Sequence, residues 1–452
     1  MYTHKTLGRK DMVLFTVSAI LLLDTVAASA SIGVASLFWW VAAGLIFFLP
    51  FGLVCAEMGC AYPEQGGIYA WVRNAFGGRW GSRVSWSYWV NNALYLSATF
   101  ILFAGIFRQL FFPALSLFWQ VAICITLTWI TVFINIISLD IGKWIPNLGA
   151  ILKIVIFIAL GAGGINYALN NGMANEISLA SLTPDWGSGL QYLPVIIYGI
   201  LGFELVSAGS EEMKDPARDV PSSILISGLI IILCYLFGTA AVLAAIPVAE
   251  INLVEGLIDT LSLFMGASAM GKGVVLALGV ALLFTLLSNS VTWAMGANRA
   301  AAQAAQDREL PSFFGIESKT NQTPVGAAIA LGSSATVLMI LYGVLANSNE
   351  DLFWSVFAFG AVIFFLPYLG LFAAFIKMRR ADPDRHRPFR VPGGPPAAYL
   401  FAFVCSGILA VSIILFTYIP GEGIQWPVLI GVVTLVIVGE LFIRYAEKEK
   451  AK

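Results

Sequence analysis

Long apolar runs alternate with short polar breaks along the whole chain. A helix needs ~20 mainly apolar residues to cross a bilayer. Runs of that length fall at twelve places: 12–33, 37–56, 86–107, 118–137, 146–168, 190–209, 222–246, 273–297, 325–345, 352–376, 397–418 and 426–444. Within them the apolar residues are continuous and lack the period of two that marks a membrane-spanning barrel. Backbone groups in lipid must hydrogen-bond within their own segment, so these spans are expected to be helices. The expected fold class is an all-α integral membrane protein with twelve transmembrane helices.

Composition agrees. Charged residues make up 11% of the chain, hydrophobic residues 59%, and mean hydropathy is +0.85; a soluble domain carries about 25% charged residues. The net charge is −1, with no basic tail or acidic run to suggest a nucleic-acid partner. The charges are unevenly placed. Of the 25 Lys and Arg, only Arg108 and Lys272 fall in loops on one side, and Lys153 lies within a span. All the others lie on the side of the N-terminus, which predicts both termini in the cytoplasm and an even number of spans. Short loops and tails suit the plasma (inner) membrane of a bacterium or archaeon. Lys5, Arg9 and Lys10 before an apolar stretch, with Ala28-Ser29-Ala30 behind it, have the look of a cleaved signal. Asp24 interrupts that stretch and a second span follows at once, which favours a retained helix.

Several classes of chemistry lose support. The two histidines, His4 and His386, fall in predicted loops, which excludes a histidine relay within the spans. The five cysteines lack metal-ligand spacing and read as small apolar residues. No H-E-x-x-H or similar motif supports an enzyme, and no metal or cofactor is expected. A channel would need a polar ring along a continuous pore, and few charges repeat along the spans. A solute transporter fits better.

Two spans carry an interruption. The first reads AILLLDTVAASASIG and the sixth VIIYGILGFELVSAGSEE, each with an acid among small residues, Asp24 and Glu204. Gly199, Gly202 and Gly209 weaken the sixth further. Five spans separate the two positions, so the second element lies upside down relative to the first. Matching broken segments in two halves point to inverted repeats around a central binding site. The halves would be residues 12–168 and 190–376, with 397–444 as two further helices in one transporter domain. Asp24 lies about 18 Å, and Glu204 about 10 Å, from the cytoplasmic end of its helix. Lys153 lies at similar depth. An intramembrane charge is costly and usually faces a pathway or a partner. These groups are expected either to pair with Lys153 or to work on a substrate amine or a proton.

Three stretches carry a family resemblance. The first is Ala56-Glu57-Met58 followed by YPEQGGIYAWVRNAFGGRWG. The second is GFELVSAGSEEMKDPARDVP, and the third runs from Trp293 through GANRAAAQAAQDRELPSFF to Thr323-Pro324-Val325. Together they resemble the amino acid–polyamine–organocation superfamily, and within it the glutamate–GABA antiporter and polyamine transporter groups. The resemblance implies a LeuT-type fold, a 5+5 inverted repeat with spans 1 and 6 broken. It implies a substrate site between spans 1, 3, 6, 8 and 10. Glu204, after Gly202 and Phe203, would match the acid that senses protons or substrate. Tyr198 would match an aromatic gate over the substrate. Lys153 would match a lysine that stands in for a sodium ion in proton-linked members.

One departure bears on substrate. Many amino acid members have Gly-Ser-Gly in the first break, where bare amides bind a carboxylate. This chain has Ala27-Ala28-Ser29-Ala30-Ser31 with Asp24 just before it. An acid there attracts an amine and repels a carboxylate. Asn91-Asn92-Ala93-Leu94-Tyr95 is close to the Asp-Asn-Ala-Leu-Tyr of the eukaryotic polyamine branch. Asn92, Tyr95 and Trp293 join the candidate site, with Trp86, Tyr88 and Trp89 as further candidates for cation–π contact. The expected partners are the lipid bilayer and a small amine or amino acid, moved by exchange, by proton coupling or by both. A glutamate–GABA-type or neutral amino acid antiporter, with Asp24 and Lys153 structural, is the alternative. No cysteine lies in loop 108–117 to hold a disulfide-linked heavy subunit.

Overall fold

The computed structural model describes residues 9–63, 66–137, 141–184, 193–208, 216–345, 349–419 and 423–450. Its helices are α1 (Arg9–Ile20), α2 (Asp24–Ala30), α3 (Ala35–Ala43), α4 (Leu49–Ala61), α5 (Ile68–Phe76), α6 (Gly78–Phe111), α7 (Leu117–Ile137), α8 (Ile141–Asn171) and α9 (Leu179–Leu182). They continue as α10 (Leu193–Tyr198), α11 (Phe203–Ala208), α12 (Pro216–Ala245), α13 (Gly256–Met265), α14 (Ala269–Gln306), α15 (Val325–Leu345), α16 (Asn349–Ala381), α17 (Gly394–Thr417) and α18 (Trp426–Lys450). A two-residue antiparallel pair, Tyr418–Ile419 with Gly423–Ile424, closes the turn between α17 and α18.

Helical backbone lies in every expected span. Nine helices among the described residues are long and apolar enough to cross a membrane. They coincide with spans 2, 3, 4, 5, 7, 8, 10, 11 and 12. Spans 1 and 6 are each two short helices with a gap, α1–α2 and α10–α11. α3 and α4 form one continuous helix through a π-helical turn at Gly44–Phe48. Pro50, which has no N–H to donate, follows just after it. Several helices outrun the apolar stretches that predict them: α6 starts at Gly78 and α14 runs to Gln306. Hydrogen bonding continues past the point where hydropathy falls.

Burial orders the helices. In α6 the most apolar window is 89% buried, against 11% in α18, so α6 is central and α18 faces the surroundings. α6 packs on α14 and α16, while α1 packs on α8, α11 and α12. α2 packs on α10, so the two broken helices meet break against break.

Both ends of the bundle are clamped by polar contacts. The first and third sequence motifs meet at one end. Tyr69 of α5 lies 2.9 Å from Asp307 and 2.7 Å from Glu309, and Arg73 donates to Glu309 at 2.8 Å. Burial and the two carboxylates push the Tyr69 phenol well above its ordinary pKa, so it stays a donor. A Cβ at Gly78 would push the Glu309 carboxylate out of this cluster. At the same end, Glu57 of α4 is buried and accepts from Arg379 at 2.8 Å and from the Val391 backbone N–H at 2.8 Å, with Arg387 at 3.3 Å. The basic segment 378–396 reads from sequence as plain surface that sets topology. Two of its arginines instead fold inward onto a buried acid. At the other end Arg108 of α6 pairs with Glu255, and Gln109 donates to Asp259 of α13 at 2.7 Å.

Candidate functional site

A helix that stops inside a protein leaves its last four carbonyls without intrahelical partners. At the end of α1 each of the four has a donor group within reach. Leu21 N–H donates to Val17 O at 3.0 Å. Lys153 of α8 donates to Ser18 O at 2.7 Å, and Trp293 Nε1 of α14 to Ala19 O at 2.9 Å. The Tyr235 hydroxyl of α12 lies 3.0 Å from Ile20 O. The lysine cation also sits at the negative end of the helix dipole. The gap at residues 21–23 is therefore held from three neighbouring helices.

Tyr235 links this gap to the second one. Its oxygen accepts from Leu22 N–H at 2.7 Å and lies 2.8 Å from Gly199 O, so its single proton serves Ile20 O or Gly199 O. The ring stacks on Trp40 at 4.1 Å. Trp40 Nε1 donates to Thr239, which bonds Ser29 of α2 at 3.0 Å. In the second gap Gly202 has φ +131°, a region that side chains rarely allow. A Cβ there would also lie 3.0 Å from Ile20 and 3.4 Å from Trp293.

Glu204 lies in the first turn of α11 and is 2% exposed. Its Oε1 accepts from Tyr88 of α6 at 3.0 Å and Tyr368 of α16 at 2.7 Å, whereas Oε2 has no partner. Among the described residues no lysine or arginine forms an ion pair with it. Lys153 donates instead to Asn289 Oδ1 at 2.8 Å, and Asn289 to Tyr95 Oη at 2.5 Å. The alternative in which Lys153 pairs with Glu204 is therefore not what forms. The Asp24 side chain, and with it any pairing to Lys153, lies outside the described residues.

A small cavity is lined by Leu22, Asn91, Tyr95, Tyr198, Leu201, Trp293 and Phe364; the two tyrosines that hold Glu204 pack on one of its rings, Tyr88 at 5.8 Å and Tyr368 at 4.9 Å from Phe364. Its rings sit edge to face: Tyr198 and Trp293 lie 5.4 and 5.5 Å from Phe364. The volume is about 10 Å³, room for one water. An organic solute enters only if these rings move.

The structure sorts the candidates. Tyr95, Tyr198 and Trp293 line the cavity, Gly202 packs against Trp293, and Glu204 is not among the lining residues but is held by Tyr88, whose ring lies 5.8 Å from Phe364. Phe203 does not; it stacks on Phe48 at 4.5 Å and packs on Phe51 at 5.6 Å. Asn92 does not line it either, and its neighbour Asn91 does. One residue is 100° of helix, enough to turn a side chain to another face. Ala27, Ala28 and Ser29 are buried in α2, with the Ser29 hydroxyl engaged by Thr239. Trp86 and Trp89 turn away, to Leu435 O and Asn298. The sequence reading missed Tyr235, Asn289, Tyr368 and Phe364. For the first two the available signal is a hydrogen-bonding side chain inside an apolar run. Among the described residues no group of three or more His, Cys, Asp or Glu could hold a metal ion.

Comparison with known proteins decides the family. A profile described as amino acid permease matches residues 7–439. The chain belongs to the amino acid permease family. It is thus a transporter of the amino acid–polyamine–organocation superfamily and not an enzyme. This permease is 34% identical over 441 residues to a probable agmatine/putrescine antiporter of Lactococcus lactis, covering 96% of the permease and 93% of the relative. An uncharacterized transporter of Legionella pneumophila is 30% identical over 401 residues, covering 87% and 85%. A polyamine transporter of Oryza sativa is 24% identical over 414 residues, covering 90% and 72%.

Proposed function

We propose that this permease is a plasma-membrane antiporter that exchanges small amines carrying one or two cationic groups by alternating access. The observation that carries the reading is Glu204. Its carboxylate is buried, one oxygen is held by two tyrosines, and the other has no partner. A buried acceptor left open suits an ammonium group, and the ring of Tyr88, which holds the carboxylate, lies 6.2 Å from Trp293 and 5.8 Å from Phe364, aromatic walls that offer cation–π contact. The printed description of the Lactococcus relative, an agmatine/putrescine antiporter, supports the same substrate class.

In this reading the chain has twelve crossings in a LeuT-type inverted repeat with both termini cytoplasmic, as the uneven Lys and Arg suggest. Tyr198, Tyr95 and Trp293 wrap the substrate, Asp24 adds negative charge at the first break, and the amides of residues 27–29 lie along its entry. Lys153 holds the end of α1 in the place a sodium ion would take. Rocking of spans 1, 2, 6 and 7 against spans 3, 4, 8 and 9 opens the site to each side in turn. Proton coupling, where it operates, runs through Glu204 and Lys153. The test is counterflow of labelled putrescine into proteoliposomes preloaded with agmatine, putrescine, GABA or a neutral amino acid. Acceleration by the amines, abolished in Glu204→Gln, is the expected result. Acceleration by zwitterionic amino acids alone would overturn it and leave Asp24 and Lys153 as structural groups.

A further inference from the structure

Near its end α16 carries three cations, Lys377, Arg379 and Arg380. Arg379 turns inward to the buried Glu57. Lys377 and Arg380 are exposed, and each is held over an aromatic ring of a neighbouring helix. Lys377 Nζ lies 4.6 Å from the ring centre of Phe76 of α5, and the Arg380 guanidinium carbon 5.2 Å from that of Tyr399 of α17. Residues three apart on a helix are neighbours, so the two cations stand side by side. Among the described residues no acid forms an ion pair with either. A ring face draws a cation but leaves most of its N–H groups to donate to another acceptor.

The surface beside them is apolar. On α17, Tyr399, Leu400, Phe403, Gly407, Val411 and Ile414 fall on one face by their helical spacing. Leu400, Phe403, Val411 and Ile414 are each more than half exposed. A Cβ at Gly407, between them, would meet nothing within 4 Å, so the face has a notch there. Tyr399 at the polar end of this face, and Trp80, whose ring lies 6.4 Å from Phe76, mark the level of lipid headgroups. We propose that this ridge binds one anionic phospholipid, with its phosphate bridging Lys377 and Arg380 and an acyl chain running along α17 past Gly407. Charge decides the occupant. A zwitterionic headgroup brings a further cation to the two already there, and a second copy packed here about a two-fold axis along the helices would set like charges against each other. An anionic headgroup supplies the missing counter-charge, and its tails cover the apolar face. Because Arg379 lies between the two cations in the same turn, a lipid held there also steadies the clamp on Glu57.

The experiment is thermal unfolding of the delipidated permease in detergent, titrated with phosphatidylglycerol, with phosphatidylcholine of the same acyl chains, and with inorganic phosphate. The wild type is expected to bind phosphatidylglycerol about ten- to thirtyfold more tightly than phosphatidylcholine, the range for two cations at a membrane surface. Inorganic phosphate at matched concentration gives no shift, because it lacks the tails. The double variant Lys377→Gln, Arg380→Gln binds the two lipids equally and keeps the wild-type midpoint in phosphatidylcholine. Exchanging the cations, Lys377→Arg with Arg380→Lys, keeps the preference. Equal affinity for the two lipids in the wild type, or an undiminished preference in the double glutamine variant, overturns the site. Stabilisation by phosphate equal to that by phosphatidylglycerol overturns the lipid and puts a soluble anion in its place.

Discussion

Replacing Tyr235 by Phe removes one oxygen and nothing else. The ring keeps its stack on Trp40 and its edge contact with Phe157 at 6.2 Å. What is lost is the acceptor for Leu22 N–H and the donor shared by Ile20 O and Gly199 O. Leu22 is 5% exposed and Ile20 is fully buried, so water does not replace the hydroxyl. Each buried polar group left unpaired costs about 1–3 kcal/mol. Two groups are affected and the gaps relax somewhat, which gives about 2–4 kcal/mol by the same rule. Because the hydroxyl joins both gaps, the cost appears as local opening at two places distant in sequence. Amide hydrogen exchange read by mass spectrometry measures it directly. Peptides covering residues 17–26 and 195–204 should both exchange about 30- to several-hundred-fold faster, at 1.4 kcal/mol per tenfold. Peptides from α7 and α18, which Tyr235 does not touch, should be unchanged. Acceleration in only one gap, or in neither, would refute the claim that one hydroxyl sets both.

Two further substitutions follow from the same reasoning. Glu57→Gln leaves Arg379 and Arg387 buried side by side without their counter-ion. Breaking a buried pair on one side costs about 3–5 kcal/mol, so thermal unfolding in detergent should shift down by several degrees, and an unchanged midpoint would show that the clamp is not structural. Lys153→Met removes a cation from Ser18 O and Asn289 Oδ1, two charged hydrogen bonds of about 1.5–3 kcal/mol each. Counterflow in proteoliposomes should be lost while the protein still elutes as a folded species; wild-type flux would mean that the end of α1 does not need the charge.

The sequence by itself determined the membrane class, the place of nine long apolar helices, the two interruptions and the family, because these rest on signals local in the chain. A run of apolar residues cannot stay in water, and a Gly or an acid within such a run cannot be ignored by lipid. It also marked Tyr95, Tyr198 and Trp293, which line one cavity, and Gly202 and Glu204, which contact Trp293 and Tyr88 near it. What fills the gaps was decided only by the tertiary structure. Lys153, Trp293 and Tyr235 come from three helices to three consecutive carbonyls of α1, an arrangement with no trace in spacing because the partners are more than a hundred residues apart. Helix phase decided the choice between Asn91 and Asn92, adjacent residues of the same type. Sequence gives their identity, but only the packing of α6 against α14 and α16 says which one faces the cavity. Arg379 and Arg387 make the same point: in the chain they read as loop charge, and only the fold brings Glu57 beneath them.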